Sequence, residues 1–246
     1  MKSVELQSIE LVSLPQSPLP VQTAISLLAG WLHQQCGVQV PVFPARRATS
    51  DHLQILVGTL DQAPVRQWAA QYGLPTTIQN DGYVIALRDN MLLVYSQLPR
   101  GVVYACGYEL PRRLKIEETQ LALDIDTLVQ EPTDQMRAWC FWTTNAAFLP
   151  AAATQYRLNM AWLETRCSAA VNLPNDPLLH PYISPHAAEI AQNNAHTAHD
   201  LAIGKSLGME MFIGGLSCLW QLPQYLYHAL AAVYPATIAT SYQGGS

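Results

Sequence analysis

Charge is scarce in this chain: 13% of its 246 residues are Asp, Glu, Lys or Arg, against the roughly 25% usual in soluble domains. No basic run appears and the net charge is −5, which argues against a nucleic-acid partner, because phosphate backbones are held by concentrated Lys and Arg. The short Arg112-Arg113-Leu114-Lys115 cluster does not alter this; near a helix end it complements the dipole. Long apolar runs are also missing. None reaches the roughly 18–20 residues of a membrane span, and residues 1–20 lack a basic start followed by an apolar core, so neither a membrane partner nor a signal peptide is expected. The default expectation is a cytoplasmic chain, or an exported one if the start is incomplete. The five cysteines include no CxxC pair and no His/Cys ligand spacing, so free thiols are expected and a zinc site is not.

Hydrophobic residues, by contrast, make up half the chain, enough for one large domain or two smaller ones with much buried sheet. The most informative stretch is Asn80 to Leu114. Tyr83 to Leu87 is rich in β-branched and aromatic residues and predicts a strand; Arg88-Asp89-Asn90 predicts a tight turn and Met91 to Tyr95 a second strand, together a hairpin. From Gly101, apolar residues Val102, Tyr104, Ala105, Tyr108 and Leu110 recur at helical spacing and predict a helix lying across that hairpin.

Upstream, Ile9 to Leu14 predicts a strand and Pro20 to Gln35 an amphipathic helix stopped by Gly37, with Val21, Ala24, Leu27, Leu28, Trp31 and Leu32 on one face. Val38 to Phe43 predicts a short strand, Leu53 to Gly58 a central strand, and Pro64 to Tyr72 a helix ending at Gly73. Thr119 to Leu128 predicts a strand or an extended linker. The expected order is β-α-β-β-α-β-β-α, an α+β domain with helices packed on a sheet, over residues 1–130.

Beyond Gln130-Glu131-Pro132-Thr133 the pattern alternates between strand and helix, which implies parallel βαβ units in an open sheet or a (β/α) barrel over residues 131–246. Strands are expected over Met136 to Trp142, Asn159 to Leu163 and Met209 to Ile213. Helices are expected over Ala146 to Arg157 and from Ser184, with Pro185 at its first position, to about Leu207.

Asp81-Gly82-Tyr83, then Arg100-Gly101-Val102-Val103-Tyr104, then Leu110 form an ordered set. It resembles the non-catalytic N-terminal domain that precedes the barrel in the family 20 β-N-acetylhexosaminidases, the family 84 N-acetylglucosaminidases and the family 67 α-glucuronidases. Ala105 stands where those families usually have a second glycine, and Tyr108-Glu109 where a Thr-Leu pair is common. Tyr156-Arg157-Leu158-Asn159-Met160 and Leu207-Gly208-Met209-Glu210-Met211 resemble the entries to the second and third barrel strands. The resemblance implies the first part of a (β/α)8 TIM-type barrel, about three units, because only 114 residues follow Pro132 and a whole barrel needs about 200 or more. It implies an N-terminal fragment of a glycoside hydrolase acting on N-acetylhexosamine- or uronic-acid-containing glycans, with a carbohydrate substrate, no cofactor, and catalytic acids beyond the end of the chain, so that the chain alone is inactive.

Three residues are candidate substrate contacts. Arg137 sits where the family 20 pattern has an Arg opening the first barrel strand, and a guanidinium can donate paired hydrogen bonds to sugar hydroxyls. Glu164 ends the second strand, where barrel sites gather their residues. Trp142, like Trp139 and Trp162, lies on or beside a predicted strand, where it serves either sugar stacking or the core. His186, His196 and His199 lack the spacing of a metal set, Gly214-Gly215 is followed by no GxGxxG, and Ser217 lacks a nucleophile elbow. Two other readings remain open: a non-catalytic carbohydrate-binding or degenerate relative, and an unrelated α/β enzyme with a doubly wound sheet.

Overall fold

A computed structural model describes residues 2–47, 51–117, 119–141, 146–163, 177–213 and 224–233. The chain divides into two compact units. The first is built from Met1–Arg137, Leu149–Asn159 and Lys205–Met209, the second from Ala138–Phe148, Met160–Gly204 and Glu210–Ser246.

In the first unit, β1 (Lys2–Glu5) leads through a 3-10 turn into β2 (Ile9–Ser13), α1 (Leu19–Cys36), β3 (Val42–Phe43), β4 (Leu53–Thr59), α2 (Ala63–Gln71), β5 (Tyr83–Arg88) and β6 (Met91–Ser96). Next come α3 (Pro99–Tyr104), α4 (Leu110–Arg113), β7 (Leu114–Glu117), β8 (Gln120–Leu123) and β9 (Thr127–Gln130). Six strands form one mixed sheet in the order β3-β2-β4-β6-β5-β9. From β3 to β6 the neighbours are parallel, while β5 runs antiparallel to both β6 and β9. A second, antiparallel sheet has the order β1-β8-β7.

The apolar run Leu53–Thr59 is buried at every residue, as expected of a strand covered on both faces. Successive side chains alternate between faces. Val12, Leu56, Val84, Ala86, Leu93 and Tyr95 cluster with Val65 and Ala69 of α2. The opposite set, including Leu11, Ile55, Ile85, Leu92 and Val94, is equally buried; of its strands, β2 and β4 touch α1, and β4 and β6 touch α3. Gly58 lets α2 come close: a Cβ there would lie 2.6 Å from Val65 Cγ2 and Gln62 Oε1. Helix α1 buries Val21, Ala24, Ile25, Leu28 and Leu32, each worth about 1.5–3 kcal/mol for the large apolar side chains. It ends at Gly37, whose φ of 69° is a left-handed cap and whose N–H donates to His33 O at 2.8 Å.

Several details depart from the sequence reading. Leu27 and Trp31 are only half-buried and Ile25 takes a core place. The hairpin turn has two residues, not three, because Arg88 pairs with Met91 and Asp89 takes a φ of 52°; Asp is among the few side chains that tolerate that conformation. The helix after Gly101 is interrupted by a π-turn, Ala105–Glu109. Gly107 lies within it, where a Cβ would fall 2.3 Å from Thr154 Cγ2, so the wider turn sits where another helix approaches. Residues 119–128 supply strands to two different sheets, and β1 is an additional strand that the sequence pattern did not reveal.

In the second unit β10 (Ala138–Phe141), β11 (Met160–Leu163) and β12 (Glu210–Ile213) form a parallel sheet in chain order. Helix α5 (Leu149–Thr154), assigned to the first unit, lies between β10 and β11 in the chain. Helices α6 (His180–Ile183) and α7 (Ala187–Ser206) precede β12, and α8 (Gln224–Val233) follows it. Gly204 of α7 touches β12, since a Cβ there would clash with Met211 Sδ at 2.1 Å.

Three tyrosines are buried in the first unit, Tyr83, Tyr95 and Tyr104, and burial pushes each phenol up, Tyr104 to about 12. Their folded-state values lie above the unfolded value near 10, so the unfolded chain releases these protons first. Stability is therefore expected to hold up to about pH 10 and then to fall by up to about 1.4 kcal/mol per pH unit for each tyrosine. Urea midpoints from pH 7 to 11, with phenolate absorbance followed in parallel, check this; a midpoint that is flat to pH 11 would contradict it.

Candidate functional site

The strongest polar constellation in the first unit is built on Asp81, which sits in the turn ahead of β5 and is 1% exposed. Its Oδ1 accepts from Arg100 Nε, while its Oδ2 accepts from Arg137 Nη2 at 2.5 Å and from Asn159 Nδ2 at 3.0 Å. Both arginine side chains are themselves largely covered, 17% and 15% exposed. A carboxylate so removed from water must be paired and fully hydrogen-bonded.

The backbone explains why the cluster forms. Arg100 stands in the first turn of α3, and the next residue, Gly101, packs onto the chain beside Asp81. A Cβ at Gly101 would lie 2.6 Å from Gly82 O and 2.9 Å from Asp81 O. One at Gly82 would lie 2.7 Å from Gln130 O and 2.9 Å from Gln79 O. The two halves of the Asp81-Gly82-Tyr83 and Arg100-Gly101 pattern therefore meet: the glycines allow backbone contact and the flanking charges neutralise one another. Tyr104, one turn on from Arg100, places its ring 5.8 Å from the Arg137 guanidinium, and its phenol is raised first by burial and then by the nearby Asp81 charge.

Arg137 has an acceptor on each side-chain nitrogen: Arg157 O for Nε at 2.7 Å, Asp134 O for Nη1, and Asp81 for Nη2. Its backbone is paired with Asn159 in both directions, N–H to Oδ1 at 2.8 Å and O from N–H at 3.0 Å. The residue also immediately precedes β10. In the structure this guanidinium holds Asp81. Trp142 and Glu164, which follow β10 and β11, lie outside the described residues, as do Gly214, Gly215 and Ser217. Trp139 and Trp162 belong to β10 and β11.

Two further buried carboxylates of the first unit are tied to arginine. Glu10 meets Arg47, His52 Nδ1 at 2.9 Å and Gln54 Nε2 at 3.3 Å. Glu109 meets Arg113 Nε at 2.6 Å and Arg157 Nη2 at 3.1 Å. In the second unit His186 pairs with Glu189 and His196 with Asp200, each at 3.6 Å along the helix. Among the described residues no group of three His, Cys, Asp or Glu side chains is placed to hold a metal ion, and no helix is long and apolar enough to cross a membrane. The sequence contained the signal for the Asp81 cluster, a charge flanking each motif glycine, but not the pairing.

Residues 3–110 match the family model for the glycosyl hydrolase family 67 N-terminus. No curated protein matches the chain. Among solved structures, that of CpGH84D is similar over 86% of this chain and 34% of its own, with 10% identity and a TM-score of 0.58. The GH20 exo-β-N-acetylglucosaminidase from Vibrio harveyi, in complex with N-acetylglucosamine, is similar over 94% and 36%, with 9% identity and a TM-score of 0.55. The GH20 β-N-acetylhexosaminidase from Streptomyces coelicolor A3(2) is similar over 86% and 42%, with 11% identity and a TM-score of 0.54. The chain spans about two fifths or less of these structures' lengths, and at such identities the likeness is one of fold.

Removing Asp81 takes a buried carboxylate away from two covered guanidiniums. Asp81→Ala is expected to cost about 3–5 kcal/mol, and Arg100→Ala added to it less than the sum of the single changes, both read from urea unfolding of the chain; a loss below about 1 kcal/mol would put the cluster on a par with surface ion pairs. Gly101→Ala is expected to destabilise by about 1–3 kcal/mol through its backbone clash. Gly30→Ala, in the exposed middle of α1 with nothing within 4 Å of the new Cβ, is expected to stabilise by about 0.5–1 kcal/mol. Equal effects at the two glycines would remove the close-approach argument. With the motif's charges and glycines joined in one contact, residues 3–110 of the chain are similar to the N-terminus of the family 67 glycosyl hydrolases.

Proposed function

We propose that the chain is part of a glycoside hydrolase acting on glycans that contain N-acetylhexosamine or uronic acid, with the second unit as the opening of a (β/α) barrel. The observation that carries this reading is the match of residues 3–110 to the N-terminus of a glycosyl hydrolase family. The parallel order β10-β11-β12 supports the barrel, because such a barrel begins with adjacent parallel strands joined through helices. Glycoside hydrolysis needs two carboxyl groups across the scissile bond, or one acid and the substrate's own acetamido group. Glu10, Asp81 and Glu109 do not fit that task, since each is buried against arginine. We place the catalytic acids at the end of a fourth barrel strand, beyond Ser246. Trp142 and Glu164, at the C-terminal ends of β10 and β11 in the chain, are the proposed sugar contacts within it.

The test is the reading frame downstream of the Ser246 codon and the activity of its product. The chain and its downstream extension are assayed with 4-nitrophenyl N-acetyl-β-glucosaminide and with glucuronic-acid-substituted xylo-oligosaccharides. Hydrolysis of one substrate by the extended protein, lost on removing an acid of the fourth strand, is the expected result. A stop directly after Ser246, with sugar binding in calorimetry and no turnover, would replace this reading by a non-catalytic glycan-binding one.

A further inference from the structure

We propose that the face of the first unit formed by Tyr108, Arg112 and Arg157 binds the carboxylate of an acidic sugar chain; that the anion belongs to a glycan rests on the function proposed above. Tyr108 and Glu109 are the residues at which the chain departs from the Thr-Leu pair common in similar domains, and the fold gathers arginines around them. Glu109 is 5% exposed and receives Arg113, Arg157 and the Tyr83 hydroxyl, the last at 3.3 Å. One carboxylate thus faces two guanidiniums. Arg112 adds a third cation with its guanidinium 4.9 Å from the Tyr108 ring centroid, and among the described residues no carboxylate lies within ion-pair distance of it. In a chain of net charge −5, this is a local excess of positive charge.

The surface is also held in place before any ligand arrives. Arg157 lies 6.0 Å from the Tyr108 centroid and 5.8 Å from that of Tyr83. Its backbone takes a φ of 53°, costly for a non-glycine residue, and its carbonyl is fixed by Arg137 Nε. A guanidinium fork matches the two oxygens of a carboxylate, and an aromatic side chain beside it offers apolar surface to the C–H face of a sugar. Arg112 is in the last turn of α4, where any cation complements the dipole; that role requires neither the fork nor the ring.

The 246-residue chain is run in native gels containing polygalacturonate, the same polymer with its carboxyls reduced to alcohols, or polyglutamate. Polygalacturonate is expected to retard it, less so as salt rises, and the reduced polymer is not. Arg112→Gln is expected to weaken retardation about tenfold, the worth of one charge-assisted contact. Arg112→Lys, which keeps the dipole partner, is expected to weaken it as well with an unchanged melting temperature, while Arg66→Gln on the exposed side of α2 leaves it intact. Retardation by the reduced polymer, by polyglutamate alone, or equally in both Arg112 variants and the parent would overturn the proposal. Turnover is not read, so an absence of hydrolase activity and an absence of this surface are told apart.

Discussion

A carboxylate cannot be taken out of water alone, and the burial of Asp81 to 1% exposure makes demands on much of the first unit. Its charge draws in Arg100 from α3, Arg137 from the residue before β10, and Asn159 from the residue before β11. Because each of these partners is itself covered, none can be lost without exposing another charge to a poorly solvating surrounding. The glycines at 82 and 101 bring the backbones close enough for the contact to exist. Ion pair and close packing are therefore one feature.

The same economy recurs at Glu10 and Glu109. A chain poor in charge places three carboxylates inside its first unit, each with arginine, and surrounds them with a sheet whose central strand is buried throughout. Isolated surface ion pairs contribute little, but buried ones fix which segments must meet. Here they link the loop before β5, the helical turns after β6 and the segment around Arg157. That last segment joins the two clusters, since the Arg157 carbonyl accepts from Arg137 while its side chain reaches Glu109.

Local structure was largely legible in the sequence where periodicity and punctuation agreed. Leu53 to Gly58 read as a central strand and is one; Gly37 and Gly73 stop helices with positive φ; the Tyr83 to Tyr95 hairpin lies where its β-branched residues put it. The π-turn at Ala105–Glu109 was not foreseen; it lies where Thr154 approaches Gly107, a contact from elsewhere in the chain. Strand β1 escaped for a similar reason: four residues with a single buried-type alternation are defined by pairing with β8.

For the site the division is sharper. The sequence by itself determined most of the elements, the family likeness of residues around the two motif glycines, and the presence of Asp81, Arg137 and Asn159 at separate places along the chain. Only the tertiary structure decided that they belong together, with Arg137 and Asn159 both tied to the Asp81 carboxylate. Helix and strand patterns are written in neighbours two to four positions apart, whereas Asp81 finds its partners 19, 56 and 78 residues away, a choice made by which chain segments the packed core brings side by side.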